Sequence, residues 1–383
     1  MKPVKQQPRK LRLTFLTRSL DIGGAQRQLV TLAKALDQSQ FDVSILTFYS
    51  GQAWEGELEG SGVRIVSLDK RGRWDLFSFT RRLIREVRAL QPDVLHGYLD
   101  IPNVLALLAR RFVPTKVVWG VRASAMEMHE YDWLFRLAAK VERMLSDSPD
   151  LIIVNSRAAF QHHLSIGFPS AKLKLIPNGI DTDVFKPDLE ARARLRKEWG
   201  VDDSIQLVGT VGRLDPVKDL PTFLAAATNV SRDQSSARFI CVGNGPPEEV
   251  ERLKALTDEL KISNQVIFTG AVSDVAAAYN ALDLLVSSSR AESFPNSVAE
   301  AMACGIRCVV TNVGDSAALV GDCGVVVEPG QPEALAAAII SSLSLDRSRT
   351  GERCRTRIVE YFCVEQLAGH TEETLKALTE LCP

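Results

Sequence analysis

The sequence lacks any apolar run of the ~20 residues that a membrane-spanning helix needs, and its basic stretch at residues 1–10 is not followed by the apolar core of a signal peptide. These absences predict a cytoplasmic protein, or one that lies on the inner face of the membrane. Cysteine is absent before Cys241, and none of the seven cysteines forms a Cys-x-x-Cys pair. The five histidines are scattered, so neither disulfides nor a metal site is expected.

Net charge is also nearly absent, at −1, but the two halves of the chain differ in sign. Residues 1–185 hold 26 Lys and Arg against 19 Asp and Glu, a net +7, whereas residues 186–383 hold 20 against 28, a net −8. A basic half favours contact with an anionic surface or acceptor, although solvated surface charge explains it equally simply. A nucleic-acid partner is not expected, because no recognised binding module accompanies the basic residues.

Short apolar runs rich in β-branched residues alternate with longer helical patterns, which predicts βαβ units and parallel sheets. Turn formers at 176–181 divide the strands into two sets, and a charged helix is expected over Leu189–Trp199. The candidate strands are Leu11–Thr17, Asp42–Phe48, Val63–Leu68, Val94–His96, Lys116–Val121, Leu151–Asn155, Gln206–Gly212, Arg238–Val242, Gln265–Thr269, Leu284–Ser287, Arg307–Thr311 and Gly324–Val327. The sequence therefore predicts two α/β domains, residues 1–185 and 186–364.

Two acids, Glu292 and Glu300, bracket a segment that runs into a helix of small residues. The proline between them suits the first turn of that helix, and the serine before it can accept a hydrogen bond from a first-turn amide. First-turn amides at the positive end of a helix dipole suit a phosphate, and the two acids can accept bonds from hydroxyl groups on either side of it. A nucleotide-sugar has this layout. The segment contributes Ser293, Phe294, Pro295, Asn296, Ser297 and Val298 to the predicted site.

This glutamate motif, residues 292–300, resembles that of retaining glycosyltransferases of family 4, group 1, which have two facing Rossmann-like domains and a cleft between them, the GT-B fold. The resemblance covers nearly the entire chain. It implies that Glu292 contacts the sugar of a nucleotide-sugar donor and that Glu300 contacts the ribose. It also implies that a final helix, about Glu365–Leu381, returns to pack on the first domain.

A second motif, Gly212-Arg213-Leu214-Asp215-Pro216-Val217-Lys218, follows a strand directly and is called the basic loop below. Two cations on one short loop can neutralise a diphosphate and the charge that grows on it as the glycosidic bond breaks. The loop is similar to the family's diphosphate-binding loop, which implies catalytic roles for Arg213 and Lys218. Two weaker glycine-containing turns each follow a strand, and an ordinary turn is the alternative for both. Gly243 and Asn244 would let the backbone approach a ligand closely. Val272 lies where the family holds the nucleotide base through backbone atoms.

The N-terminal strand leads into Gly23 and Gly24, where the missing side chains would let the backbone approach a phosphate or an acceptor closely. These glycines resemble the family's Gly-Gly-x-Glu loop, except that Gln26 stands where Glu is common. Many relatives also carry a histidine near the end of the strand over 116–121, a place that Arg122 takes here. We expect Arg122 to steady a phosphate or to bind an anionic acceptor. His96 is the remaining candidate for a histidine that lines the cleft, and a structural histidine is the alternative.

The stretch Lys70–Trp74, with Arg71 and Arg73, leads into a helix that carries Arg81, Arg82, Arg85 and Arg88. A basic helix with a tryptophan at its entrance can dock on anionic headgroups and bring an enzyme to a polyprenyl-diphosphate-linked acceptor. The alternative is the solvated outer side of an ordinary βαβ helix.

The predicted activity is retaining, metal-independent transfer of a hexose or N-acetylhexosamine to a hydroxyl of a glycan or lipid-linked acceptor, in bacterial surface polysaccharide or lipopolysaccharide assembly. The donor, a UDP-sugar most often in chains of this kind, is a substrate, and no cofactor is expected. The sequence Asp181-Thr182-Asp183 mimics the metal-binding acids of a different glycosyltransferase fold but predicts a turn. Two alternatives stay open: a UDP-N-acetylglucosamine 2-epimerase of the same architecture, and a catalytically silent, transferase-like binding subunit.

Overall fold

The computed structural model of the chain describes residues 9–72, 74–122 and 140–380. The chain forms two compact units, Met1–Gly179 with Val364–Pro383, and Ile180–Cys363. The change of unit at Ile180 falls within the turn-forming stretch, a few residues before the boundary that the sequence suggested. Of the predicted features, Arg73, Leu381 and Cys382 lie outside the described residues.

The first unit is built on a seven-stranded sheet with the order β3-β2-β1-β4-β5-β6-β7, in which every pair is parallel. Its strands are β1 Leu11–Thr17, β2 Phe41–Thr47, β3 Arg64–Ser67, β4 Val94–Tyr98, β5 Lys116–Val121, β6 Leu151–Val154 and β7 Leu173–Leu175. Its helices are α1 Gly24–Ala35, α2 Leu76–Leu90, α3 Asp100–Arg110 and α4 Arg157–Ser165.

The second unit is built on a six-stranded parallel sheet with the order β10-β9-β8-β11-β12-β13. Its strands are β8 Gln206–Val211, β9 Ala237–Val242, β10 Val266–Gly270, β11 Leu284–Ser287, β12 Arg307–Thr311 and β13 Val325–Val327. Its helices are α5 Leu189–Glu198, α6 Leu220–Asp233, α7 Pro247–Glu259, α8 Val275–Ala281, α9 Asn296–Ala303, α10 Ser316–Val320, α11 Pro332–Leu343 and α12 Arg347–Tyr361.

Both sheets are apolar on both faces, as parallel sheets covered by helices must be. In β1, Leu13 and Phe15 join one buried cluster while Leu16 joins another on the opposite face. The last helix, α13 Val364–Glu380, belongs to the first unit, where Leu367 and Leu375 pack in the same cluster as Leu13. The predicted α/β class, with alternating strands and helices in two units, is confirmed.

Candidate active site

The candidate site of the second unit lies at the carboxyl edge of its sheet, because strands that run parallel end at the same edge. The loops that leave this edge carry the predicted binding residues. The basic loop follows β8, Gly243 and Asn244 follow β9, Val272 lies two residues beyond β10, and Glu292 follows β11. Four loops that are distant in sequence are therefore brought to one edge of one sheet.

The basic loop presents two cations that differ in how firmly they are held. Arg213 is 76% exposed and its guanidinium lies 3.0 Å from Asp215. Lys218, at the end of a 3-10 turn over Pro216–Lys218, is 26% exposed, and its Nζ donates to Oε1 of Glu292 over 2.7 Å. The loop thus holds one fixed cation beside the glutamate motif and one that extends into solvent.

Burial by itself would lower the pKa of the Lys218 ammonium, but the charge and hydrogen bond of Glu292, together with Asp215, outweigh it and raise that pKa above its usual value. The Lys218 side chain therefore stays protonated and positively charged. Glu292 is 9% exposed and also accepts a hydrogen bond from the hydroxyl of Ser289 over 2.8 Å. The buried carboxylate is thus paired with one cation and hydrogen-bonded by one hydroxyl, as a buried charge requires.

Helix α9 carries the second acid, and its start differs slightly from the prediction. Pro295 occupies the N-cap position rather than the first turn, and its carbonyl accepts bonds from the amides of Val298 and Ala299 at 3.1 and 3.2 Å. The amide of Val298 is thus engaged within the helix, which corrects its assignment to a ligand. Asn296 and Ser297 lie in the first turn of α9, before these intrahelical bonds, at the positive end of the helix dipole that suits a phosphate.

Two predicted members of this segment have structural contacts. Phe294 is 5% exposed and its ring centroid lies 5.7 Å from that of Phe362, so its side chain belongs to the core. The carbonyl of Ser293 accepts a bond from the amide of Asp315 over 3.0 Å. The side chain of Phe294 thus packs in the core, and the contribution of this residue to the binding site stays a prediction.

Glu300 lies inside α9, is 2% exposed, and accepts a hydrogen bond through Oε2 from the Tyr279 hydroxyl over 2.8 Å. Tyr279 lies on α8 and is itself 1% exposed. The sequence did not single out this tyrosine, since an apolar helix gives no sign of which partner its hydroxyl will find.

The glycine turns after β8, β9 and β10 are tied to one another. A Cβ on Gly243 would lie 1.8 Å from the carbonyl oxygen of Gly212, and the Gly243 amide donates to the Gly270 carbonyl over 2.9 Å. The Asn244 carbonyl accepts from the amide of Leu214, and its Oδ1 accepts from Ala271. Asn244 thus fixes the turns on either side of it, while Val272 is half-buried against the core.

Besides Tyr279, sequence reasoning missed further residues that shape this site. Gly314, with φ of 55°, lies against the backbone of the glutamate motif, where an added Cβ would be 2.2 Å from the carbonyl oxygen of Glu292. Ser288 donates to the carbonyl of Lys218 over 2.8 Å, and Thr311 donates to that of Ser289 over 2.6 Å. Ser288 directly follows β11 and Thr311 is the last residue of β12, and small polar residues at strand ends gave no distinguishing pattern.

In the first unit, Gly23 is the N-cap residue of α1 and Gly24 is its first residue. The helix therefore starts directly at the glycine pair. A Cβ on Gly23 would lie 2.3 Å from Oε1 of Gln26, so the side chain that replaces the family's glutamate folds back over this glycine.

The structure corrects the placement of His96. Its side chain is fully buried in β4, where ring centroids of Phe15 and Tyr98 lie 5.1 and 5.9 Å away. Burial, helped by the charge of Arg122, lowers the pKa of His96 to about 3, so the ring is neutral. A histidine without access to the surface does not line a cleft.

Arg122 is 9% exposed and stacks its guanidinium 4.4 Å from the ring centroid of Tyr98. Its Nη1 donates to Oδ1 of Asn178 over 2.6 Å. Burial lowers the pKa of Arg122 despite a small opposing effect of Tyr98. The arginine is thus held in place by the first unit, and its role toward a phosphate or acceptor stays a prediction.

Among the described residues, no three His, Cys, Asp or Glu side chains group in a way that could hold a metal ion. The acids at 181–183 form the predicted turn, in which Oδ1 of Asp181 accepts from the amides of Asp183 and Val184, each over 3.0 Å. Within the described part of the chain, no helix combines the length and the apolar character needed to cross a membrane.

Comparisons with known proteins agree with the two units. Residues 205–344 match the family described as glycosyl transferases group 1, and residues 22–184 match glycosyltransferase family 4. The GDP-mannose-dependent alpha-(1-6)-phosphatidylinositol monomannoside mannosyltransferase of Mycobacterium tuberculosis is 30% identical over 282 residues, 70% of each chain. The N-acetyl-alpha-D-glucosaminyl L-malate synthase of Bacillus anthracis is 26% identical over 288 residues, 73% of each chain.

Among solved structures, Anabaena Alr3699/HepE in complex with UDP and glucose superposes with a TM-score of 0.83 at 22% identity, covering 96% of this chain and 99% of that one. This similarity establishes the fold, and the mannosyltransferase and the two family matches establish the family. The chain belongs to the group 1 glycosyltransferases of family 4 and is a glycosyltransferase with their two-domain α/β fold.

Proposed function

We propose that the protein transfers a hexose or N-acetylhexosamine, with retention of anomeric configuration, from a nucleoside diphosphate sugar held by the second unit to a hydroxyl of a glycan or lipid-linked acceptor. The observation that carries this proposal is the 2.7 Å contact between Nζ of Lys218 and Oε1 of Glu292. It joins the basic loop to the glutamate motif, 74 residues apart. A group for the diphosphate and a group for the sugar thus lie side by side.

In the proposed reaction, Arg213 and Lys218 neutralise the diphosphate as the bond to the sugar breaks. Stabilisation of developing charge by groups already in place is usually the largest single contribution of a site to catalysis. Glu292 accepts a hydrogen bond from a sugar hydroxyl, and Glu300, steadied by Tyr279, accepts from the ribose. The positive end of the α9 dipole would add to the anion site.

Retention follows if the acceptor attacks from the face that the diphosphate leaves. The departing phosphate oxygen then takes the proton of the acceptor hydroxyl. The bond from the sugar to the diphosphate breaks and the bond from the sugar to the acceptor oxygen forms, without a separate protein base. Because two cations already balance the diphosphate, the proposal includes transfer without a divalent metal.

The test is to follow the product by NMR with and without EDTA, using acceptor glycans or the slow hydrolysis of the donor by water. We expect the anomeric configuration of the donor to be kept and the rate to be unaffected by the chelator. An inverted product would reject retention. A rate abolished by EDTA and restored by Mg²⁺ or Mn²⁺ would reject metal independence.

The donor base is proposed to be uracil, as in the UDP complex of the Anabaena structure, while the mycobacterial relative is named for GDP-mannose. Calorimetric titration with UDP and GDP distinguishes the two bases. Tighter binding of GDP would overturn the uracil assignment but would leave the proposed glycosyl transfer standing. Formation of an epimerised sugar from the donor alone, with no acceptor present, would instead favour a 2-epimerase.

We also propose that the enzyme contacts an anionic membrane through the start of α2 and the segment before it. Three large apolar side chains stand out there within four positions: Trp74, Leu76 and Phe77 are 86%, 60% and 77% exposed. Arg81 and Arg85 are exposed along the same helix. Interfacial helices are held on a membrane by apolar side chains that insert into it and by neighbouring cations that contact its anionic headgroups.

One predicted member of this face has another role. Arg82 is only 20% exposed, forms an ion pair of 2.6 Å with Asp75, and donates to the carbonyl of Leu68 over 2.7 Å. Arg82 thus links α2 to the residue that follows β3, and a variant at this position would test folding rather than docking.

Docking is tested by sedimentation with vesicles of phosphatidylglycerol and phosphatidylcholine. The triple variant Arg81→Gln, Arg85→Gln, Arg88→Gln should lose most of the vesicle-bound fraction, since each cation near such a surface contributes about 1 kcal/mol. The matched control neutralises three exposed cations of the second unit and changes the net charge equally; it comprises Arg252→Gln, Lys254→Gln and Lys261→Gln. Equal loss in both variants would reject a docking face on α2.

A further inference from the structure

The carboxylate of Glu292 is held through one oxygen. Lys218 Nζ and Ser289 Oγ both donate to Oε1, at 2.7 and 2.8 Å. Among the described residues none donates to Oε2 of Glu292, although the side chain is only 9% exposed. A carboxylate oxygen has room for two such bonds, so Oε1 is filled and Oε2 is left as the acceptor.

The donors on Oε1 differ in charge and in freedom. Lys218 carries a positive charge on a flexible four-carbon stem, and in the proposed reaction the diphosphate attracts the same ammonium. Ser289 is neutral, so a bound diphosphate does not draw it away. A lysine shared between two anions cannot by itself keep the glutamate carboxylate from rotating.

Ser289 is fixed from several sides. It is 1% exposed, and its carbonyl accepts a hydrogen bond of 2.6 Å from the Thr311 hydroxyl. The preceding Ser288 donates to the carbonyls of Lys218 and Asp219, at 2.8 and 3.1 Å. The serine hydroxyl is therefore held at a set place relative to both the basic loop and the glutamate.

We propose that Ser289 is a positioning residue: it keeps Oε1 of Glu292 occupied and the carboxylate plane fixed, so that Oε2 accepts a hydrogen bond from a donor sugar hydroxyl while Lys218 serves the diphosphate. This inference rests on the proposed function, because it needs a sugar beside Glu292. It separates sugar recognition, which depends on Ser289, from diphosphate recognition, which does not.

The test compares the affinity for a nucleotide-sugar with that for the nucleotide alone. Calorimetric titrations use two probe pairs, UDP with UDP-glucose and GDP with GDP-mannose, and the pair that wild type binds is taken forward. In Ser289→Ala, we expect the affinity for the nucleotide-sugar to fall about tenfold, since one hydrogen bond to a charged group is lost, and that for the free nucleotide to change less than twofold. A merely structural role of Ser289 would lower the affinities for the nucleotide-sugar and for the free nucleotide alike.

Two further variants make the result decisive. Ser289→Cys keeps the side-chain volume but offers only a weak donor, so it should reproduce the selective loss even if the alanine variant folds poorly. The control Ser342→Ala removes a buried hydroxyl of α11 that has no hydrogen-bond partner among the described residues, and it should retain wild-type affinities for both ligands.

Equal losses for nucleotide and nucleotide-sugar, or none for either, in a folded Ser289 variant would overturn the positioning role. The proposed function would survive that result if Glu292→Gln still abolished selective sugar binding. If wild type bound no member of either pair, or if Glu292→Gln bound the nucleotide-sugar normally, the proposed function itself would fail.

Discussion

Replacement of Gly314 by alanine should damage catalysis through the backbone of the glutamate motif. An added Cβ would lie 2.2 Å from the carbonyl oxygen of Glu292 and 2.8 Å from that of Ser293. Relief of the first overlap requires a shift of roughly 1 Å, and a misplacement of that size can cost about 100-fold in rate. Because the φ of Gly314 is 55°, alanine adds about 1 kcal/mol of backbone strain, and the overlap adds about 1–3 kcal/mol.

Gly330 supplies the matched control, because its φ is 70° and nothing lies within 4 Å of the position that a Cβ would take. Gly330→Ala should therefore lose only the backbone contribution of about 1 kcal/mol and keep its activity within about twofold. The measurements are chemical denaturation and the rate of nucleoside diphosphate release from the donor. Equal activity in the two variants would refute the claim that Gly314 sets the position of Glu292.

Three further predictions concern the basic loop, Glu300 and the buried Glu142 of the first unit. Arg213→Ala and Lys218→Ala should lower turnover about 100-fold but nucleotide-sugar affinity less than tenfold, because developing charge needs the cations most; equal losses in steady-state and binding measurements would contradict this. Tyr279→Phe should weaken calorimetric binding of the free nucleoside diphosphate about fivefold through Glu300, and unchanged affinity would separate that acid from the ribose. Burial, followed by the charge of Asp100, raises the pKa of Glu142 to about 8, so the folded chain keeps a proton that the unfolded chain releases above its usual pKa of 4.5. Denaturation curves should therefore show the unfolding free energy falling as the pH rises between these values, by at most about 1.4 kcal/mol per pH unit, and Glu142→Gln should flatten this slope; an unchanged slope would refute the assignment.

Much of the fold could be predicted because buried parallel strands appear as continuous apolar runs with polar ends. The predicted bounds of β1, β5, β11 and β12 coincide with the observed ones. Strand β7 was missed: it has three residues, Leu173–Leu175, with an exposed lysine in the middle, and such a pattern is indistinguishable from a loop.

The error at His96 has a related cause. The pattern ended β4 at His96, where a side chain would reach the sheet edge, but the strand continues to Tyr98 and places the histidine in its interior. The glycine at position 97 ended the apolar run without ending the strand. A strand bound that is wrong by two residues thus changes a candidate surface group into a core residue.

The candidate site was only partly accessible to sequence reasoning. Spacing within a segment pointed to Lys218 and Glu292, and the structure places these two side chains in contact. The supporting residues Ser289, Tyr279 and Gly314 act across segments, through a hydroxyl or through the absence of a side chain. Their partners follow from tertiary packing, which no local pattern records.

The central claim is that the carboxyl edge of the second sheet binds a nucleoside diphosphate through the basic loop. Its most direct test is thermal unfolding of wild type and Lys218→Ala with a panel of nucleoside diphosphates and their sugars, since a ligand that binds only the folded state raises the melting temperature. We predict that one base stabilises wild type and that the variant loses most of that stabilisation. No stabilisation by any ligand, or equal stabilisation of both proteins, would contradict the claim.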